Sequence, residues 1–181
     1  LIPLLDNMKS FKLPKIVHQL ENIAYKGRFD GFYNDFQANG SFKTALGDLK
    51  TESHINLKRG LSYNGHIQSP EFAIHTVVPV KDLGKTGFDL TFDGKGTDFK
   101  ALDLKVKGHL ERIRFRDYTY NRLDIDGNIA NEFLHISGKL DDRNATLAFS
   151  TDIDWQKDSP TYLMNAQIEN TNLFAINLFK K

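Results

Sequence analysis

Ile23-x-Tyr25-x-Gly27-x-Phe29, Phe36-x-Ala38-x-Gly40-x-Phe42, Leu61-x-Tyr63-x-Gly65-x-Ile67 and Leu123-x-Ile125-x-Gly127-x-Ile129 repeat one pattern along the chain. Apolar residues recur at every second position, and a glycine stands in their phase. A period of two sends these side chains to one face of a pleated sheet and leaves the intervening Lys, Arg, Asp, Asn and Glu on the other. A glycine on the apolar face leaves a gap there and lets the strand bend. The expected sheet therefore curls around its apolar face, and what fills the hollow becomes the functional question.

The same period extends outward and predicts strands over residues 22–30, 35–44, 48–57, 61–68, 87–95, 100–110, 121–130, 132–141, 145–154 and 161–169, with 111–118 a candidate further strand. Asp30-Gly31, Leu46-Gly47-Asp48, Arg59-Gly60, Asn131-Glu132, Asp141-Asp142-Arg143-Asn144 and Asp158-Ser159-Pro160 supply turns between them. Connections this short imply antiparallel neighbours, hence a meander. Residues 69–84 are too apolar for a solvated loop and lack a clean period, which predicts a crossover that packs on the sheet or caps its hollow, with one helical turn. Past Leu110 the apolar phase moves to Ile113 and Phe115, so Glu111-Arg112 is expected to form a turn or bulge.

At the ends, Pro14 sits where a first helical turn tolerates it, with Ile16, Val17 and Leu20 on one side, which predicts a short helix over 13–20. The run from Leu173 to Phe179 is apolar nearly all round and reads as a buried helix, with a strand as the alternative. The chain is thus expected to be a single segment: a helical lead-in over 1–21, strands over 22–169 and an apolar end over 170–181, with no second domain. The opening Leu1-Ile2-Pro3-Leu4-Leu5 reads as the start of a fragment of a longer polypeptide.

Composition narrows the function. With 24 basic and 23 acidic residues, the chain has almost no net field to steer a polyanion, which argues against nucleic acid as a partner. There is no cysteine, and therefore no disulfide scaffold, thiolate metal site or cysteine nucleophile. No apolar run approaches the roughly 20 residues of a membrane helix, and no secretion signal is present. Fourteen Phe and six Tyr against one Trp suit half-buried strands.

Chemistry-bearing motifs are sparse. His18, His54, His66, His75, His109 and His135 never fall at metal-ligand spacing and read as surface or rim residues. Asp124-Ile125-Asp126-Gly127-Asn128 departs from a calcium loop in its glycine and its missing twelfth-position glutamate, and alternates like a strand. Gly94-Lys95-Gly96 lacks the further glycine and helix of a phosphate cradle and reads as a turn or bulge. No GxSxG elbow exists. Phe115, Tyr118 and Tyr120 among Arg112, Arg114, Arg116 and Arg122 offer a stacking surface for bases, but a bend with snorkelling arginines accounts for them better. The expectation is a non-enzyme without cofactor or metal.

The run from Ile23 to Gly47, IAYKGRFDGFYNDFQANGSFKTALG, resembles the Y-x-G-x-F-x-GF-x-x-DF-x-A-x-G-x-F-x-T-x-LG run of the TamB family, the translocation and assembly module proteins of Bacteroidetes. Tyr63-x-Gly65-x-Ile67, Asp82-Leu83-Gly84, Gly94-x-Gly96, Leu104-x-x-x-Gly108-x-Leu110, Phe115-x-x-Tyr118-x-Tyr120 and the Leu123 to Ile129 repeat follow in the same order, over residues 12 to 155. Each piece is a degenerate β pattern; their order is the more specific signal. The resemblance implies the AsmA-like group of bridge-like lipid carriers, which have an inner-membrane helix, a long periplasmic body of repeating β-groove (a β-taco) and an end directed at the outer membrane. It further implies an internal stretch of that body, a role in phospholipid transport and outer-membrane biogenesis, and, as partners, phospholipid acyl chains and outer-membrane barrel assembly proteins. It implies no catalytic residue.

On this reading the fold is all-β, an elongated antiparallel meander curled lengthwise into an open hydrophobic groove. Its expected lining is Tyr25, Phe29, Phe42, Leu49, Ile55, Leu57, Tyr63, Ile67, Phe88, Leu90, Phe92, Leu102, Leu104, Val106, Leu110, Leu123, Ile125, Ile129, Leu134, Ile136, Leu140, Leu147, Phe149 and Ile153. Gly27, Ala38, Gly40, Gly65, Gly108, Gly127 and Gly138 are expected to leave room for chains. Two alternatives share this alternation: a closed β-sandwich or barrel acting as a binding or adhesion module, whose core the same residues fill, and a protein-assembly module whose edge strands pair with a client.

Overall fold

Strict alternation becomes a single sheet. The computed structural model describes residues 23–76, 81–156 and 159–177. Its strands are β1 (Ala24–Phe32), β2 (Asp35–Thr44), β3 (Gly47–Asn56), β4 (Ser62–Phe72), β5 (Thr86–Lys95), β6 (Asp103–Phe115), β7 (Tyr118–Ala130), β8 (Phe133–Asp142), β9 (Ala145–Asp154) and β10 (Thr161–Glu169). All ten lie in sequence order, each antiparallel to the next, so the sheet is an unbroken meander with β1 and β10 as its edges. A sandwich needs a second sheet and a barrel needs β1 to pair with β10; neither occurs among the described residues, so the closed alternative is not this architecture.

The tight turns follow backbone chemistry. Asn131 and Glu132 both lie at positive φ (51° and 60°), as do Arg116 and Asp117 (48° and 61°). Positive φ at both central residues is the type I′ arrangement, whose twist matches that of the flanking strands. The first pair is the turn expected from the sequence. The second replaces the expected extra strand: residues 111–115 extend β6, and β7 begins at Tyr118.

The phase change past Leu110 has a local cause. Arg112 adopts φ 51°, and the ladder steps from the Glu111–Arg122 pair to the Ile113–Tyr120 pair. Arg112 and Asn121 drop out together, so both strands change phase and the register is kept. The freed Asn121 N–H donates to the Asp142 carboxylate at 3.0 Å, and the Arg112 guanidinium donates to the Pro70 carbonyl at 2.5 Å. The irregularity stands at the expected residues, but the strand runs on through it.

Residues 69–84 are not a crossover, because β4 and β5 are neighbours. Ser69 to Phe72 lengthen β4, Ile74–Thr76 form one turn of 3-10 helix, and Leu83 bridges to Phe115. Phe72 and Ala73 are buried there. Leu173 to Asn177 form a turn, in which Ile176 N–H donates to Asn172 O at 3.2 Å. The helix expected over 13–20 lies outside the described residues, as do residues 77–80, 157–158 and 178–181.

One rim carries the β1–β2, β3–β4, β5–β6, β7–β8 and β9–β10 connections, and the other rim carries the rest. On the first, Phe99 of the β5–β6 connection meets Trp155, just past β9, edge-on at 5.4 Å between ring centroids. Three ladder steps of a flat sheet would hold β6 and β9 about 14 Å apart. Curvature together with the reach of the connection closes that gap.

Candidate functional site

Directly paired residues in an antiparallel ladder point to the same face, so the register assigns every side chain a side. One row reads Gly27, Gly40, Thr51, Ile67, Leu90, Gly108, Ile125, Gly138, Phe149 and Ala166 from β1 to β10. The next reads Phe29, Ala38, Ser53, Gly65, Phe92, Val106, Gly127, Ile136, Thr151 and Met164. A third reads Gly31, Phe36, Ile55, Tyr63, Gly94, Leu104, Ile129, Leu134, Ile153 and Tyr162. None of these rows contains Asp, Glu, Lys, Arg or His, and each runs about 43 Å across the sheet at about 4.8 Å per step.

This face is only partly covered. Of the side chains expected to line it, Leu140 alone is buried, Phe29 is 50% exposed and the others fall between. A packed core buries its large apolar residues almost completely, and this face does not.

Two of the expected lining residues, Leu57 and Leu102, stand just outside the strands, where Leu57 N–H caps Asn34 O at 2.8 Å. Phe36, part of the repeat Phe36-x-Ala38-x-Gly40-x-Phe42, and Tyr162, Met164 and Ile168 of β10 also belong to the face though the expected lining omits them; carrying the alternation through β2 and β10 places them there. The aromatics sit against one another, with Tyr25 4.7 Å from Phe42 and 5.1 Å from Phe29.

The glycines behave differently from the expectation that all leave room. At Gly138 a Cβ would come within 2.5 Å of the Phe149 ring, and at Gly94 within 2.6 Å of the Tyr63 ring. Each glycine is covered by the aromatic residue paired with it, a cross-strand arrangement that compensates for the missing side chain. Gly127 keeps its space, with nothing nearer than 3.8 Å.

One end of the face closes over. Ile113, Tyr120, Leu140, Ala145 and Ile176 form a buried cluster on which Leu83, Leu110, Phe115, Tyr118, Leu123 and Leu147 pack. Beside it lies an apolar cavity of about 300 Å³, bounded by Leu123, Leu140, Leu147 and Phe149 from the strands and by Leu173 and Ile176 from the final turn. Sequence reading missed this end, because the turn must fold back before Ile176 meets the sheet. Burial raises the Tyr120 and Tyr63 phenols above their ordinary value.

A polar knot holds the closed end. Tyr118 Oη donates to Asp142 Oδ1 at 2.5 Å, the backbone N–H groups of Asn121 and Asn144 donate at 3.0 and 2.9 Å, and Asn144 Nδ2 reaches Tyr118 Oη at 3.0 Å. Burial of Asp142 opposes its ionisation, but hydrogen bonds from Tyr118, Asn144 and Asn121 outweigh it and hold the carboxyl below its ordinary value. The same bond to Asp142 raises the Tyr118 phenol.

The opposite face is a lattice of charge. Lys107 meets Asp126 at 3.3 Å, Arg122 meets Asp124 at 2.9 Å, and Asp35 takes both Lys58 (2.5 Å) and His54 (2.6 Å). The hydrogen bonds from Lys58 and His54 lower the Asp35 carboxyl. His66 with Asp89 and His135 with Asp152 form further pairs at 2.6 and 2.5 Å. Of the histidines expected at the surface, His54, His66, His109 and His135 each face a carboxylate, an arrangement only the register shows. Such exposed pairs contribute about 0.2–1 kcal/mol each, so they mark the wet face more than they stabilise it. A dent of about 520 Å³ on this face mixes Lys26, Lys50, Glu52 and His66. Among the described residues, no three His, Asp or Glu side chains converge as metal ligands.

No protein-family model, curated protein or solved structure matches this chain.

Proposed function

We propose that this chain is a wall segment of an open groove that shields the acyl chains of phospholipids moving between the inner and outer membranes, as its resemblance to the TamB and AsmA-like carriers implies. One observation supports the reading above all: rows without a charged residue cross all ten strands, and most of their side chains are only partly buried. Exposing a methylene to water costs about 0.8 kcal/mol, so a lipid with some 30 of them faces roughly 25 kcal/mol. Only an uninterrupted apolar path offsets that, since one unpaired charge on it adds several kcal/mol of desolvation. Headgroups would project from the open side, with little selection among them.

The reading places the segment in the periplasm, assigns it no catalysis and no cofactor, and leaves anchorage to sequence beyond these residues. Among the described residues, no helix is long and apolar enough to cross a membrane. Organic extraction of the purified protein followed by mass spectrometry should recover phospholipid. Photo-crosslinkers at Leu104 and Ile125, on the apolar rows, should capture lipid. Crosslinks confined to polypeptide at those positions would defeat the carrier reading and favour protein assembly at the strand edges.

A further inference from the structure

Gly127, in the middle of β7, differs from every other glycine of the chain. Of the 13 glycines, five stand at positive φ, the region that favours glycine. Seven others would bring a Cβ to 3.0 Å or less from another atom. Gly127 does neither: its φ is not positive, and a Cβ built on it would meet nothing nearer than 3.8 Å. The ladders pass through it without a shift, pairing it with Val106 on one side and Ile136 on the other. Its backbone would accept any side chain, and a glycine inside a strand is less stable than alanine.

The gap over Gly127 is a notch with four walls. Ile125 and Ile129 flank it along β7, and Val106 and Ile136 flank it across the ladders; all four are partly buried, β-branched and aliphatic. The backbones of β6 and β8 stand about 9.6 Å apart across it. The N–H and C=O of Gly127 lie in the plane of the sheet, directed at its neighbours, so the notch presents carbon and neither donor nor acceptor. It suits hydrocarbon and gives a polar ligand nothing to bind. Of the causes of a glycine within a strand, a bulge and a close backbone are absent, which leaves a bend or the close approach of a ligand. These two part on substitution: a bend loses stability when the glycine is filled, whereas a seat loses its ligand.

We propose that Gly127 is the point at which an acyl chain lies against the wall, its methylenes touching the β7 backbone between Val106 and Ile136. The inference rests on the carrier reading and names the place that sets how closely a chain can approach. A side chain at this position would hold the hydrocarbon away from the sheet.

Gly127→Ala, Gly127→Val and Gly127→Leu fill the notch by steps. Each should keep or raise the urea midpoint, because the backbone accepts a side chain and the unfolded chain loses freedom. Phospholipid retained on re-isolation after incubation with dioleoylphosphatidylcholine vesicles should fall in the same order. The loss at Gly127→Leu should be about tenfold, as for about two methylenes lifted off the wall. Gly138→Ala should instead lower the midpoint, since its Cβ would meet the Phe149 ring at 2.5 Å. Thr151→Phe adds as many heavy atoms as Gly127→Leu, two strands away in the same row, and should retain lipid at the parent's level. If the parent retains no lipid, the carrier reading fails and the seat with it. If the parent retains lipid and Gly127→Leu retains as much, or Thr151→Phe loses as much as Gly127→Leu, the seat is overturned while the carrier reading stands. A lower midpoint for Gly127→Ala would overturn it too, by assigning the glycine to bending.

Discussion

Asp142 shows how one side chain can carry a join between strands. It is 8% exposed, and it takes up the N–H that Asn121 loses where the β6–β7 ladder skips a pair. Its native carboxyl is more acidic than the unfolded value of about 3.9. Ionised Asp142 therefore stabilises the fold above about pH 4, and this contribution is lost as pH falls through the native value. Asp142→Asn should cost about 1–3 kcal/mol at neutral pH and should flatten the acid side of the stability profile, as measured by urea denaturation across pH. A variant as acid-sensitive as the parent would assign that sensitivity elsewhere.

At the scale of the element, most strands were legible because period two and turn residues agree within a few positions, as from Asp35 to Thr44. The failures share a cause. The β6 boundary at Phe115 depends on Arg112 taking φ 51° while Asp142, thirty residues on, captures Asn121. The placement of Ile176 depends on contact with Ile113 and Tyr120, more than fifty residues away in sequence. Local pattern carries no trace of either. The apolar face was legible in bulk, since alternation fixes sides, but not where aromatic rings lie over their paired glycines.

The hairpin at Asn131-Glu132 offers an element-scale prediction. Glu132 at φ 60° stands in a backbone region that favours glycine, at the second centre of a type I′ turn. Its backbone oxygen, which receives Trp155 N–H at 2.9 Å, survives substitution. Glu132→Gly should stabilise the protein by about 0.5–1 kcal/mol despite the entropy it adds to the unfolded chain, read as a higher urea midpoint at unchanged slope. A lower midpoint would mean that the glutamate side chain contributes a contact of its own.

For the whole molecule, the separation of faces matters more than any single contact. On the proposed carrier function, a charge placed on a row should interrupt lipid passage out of proportion to its effect on folding. Ile125→Asp sits mid-row between Gly108 and Gly138, on a half-exposed site, so the chain should still fold. Phospholipid recovered by extraction should nevertheless fall about tenfold, given several kcal/mol for an unpaired carboxylate in hydrocarbon. Asp124→Asn, one residue away but on the wet face, should leave recovery unchanged. Equal loss in both variants would tie recovery to folding and not to the apolar path.

The Phe99–Trp155 contact has an optical consequence. Trp155 is the chain's only tryptophan, and its ring stands at the rim, edge-on to a partner borne by a different connection. Emission excited through the indole therefore reports on one place. If the rim spreads when the hollow fills, the indole gains water and its spectrum shifts to the red, and Phe99→Ala should show that shift permanently. Titration with detergent monomers, followed by emission maximum, would time the spreading without any added label, and an unchanged spectrum on filling would show that the rim stays fixed.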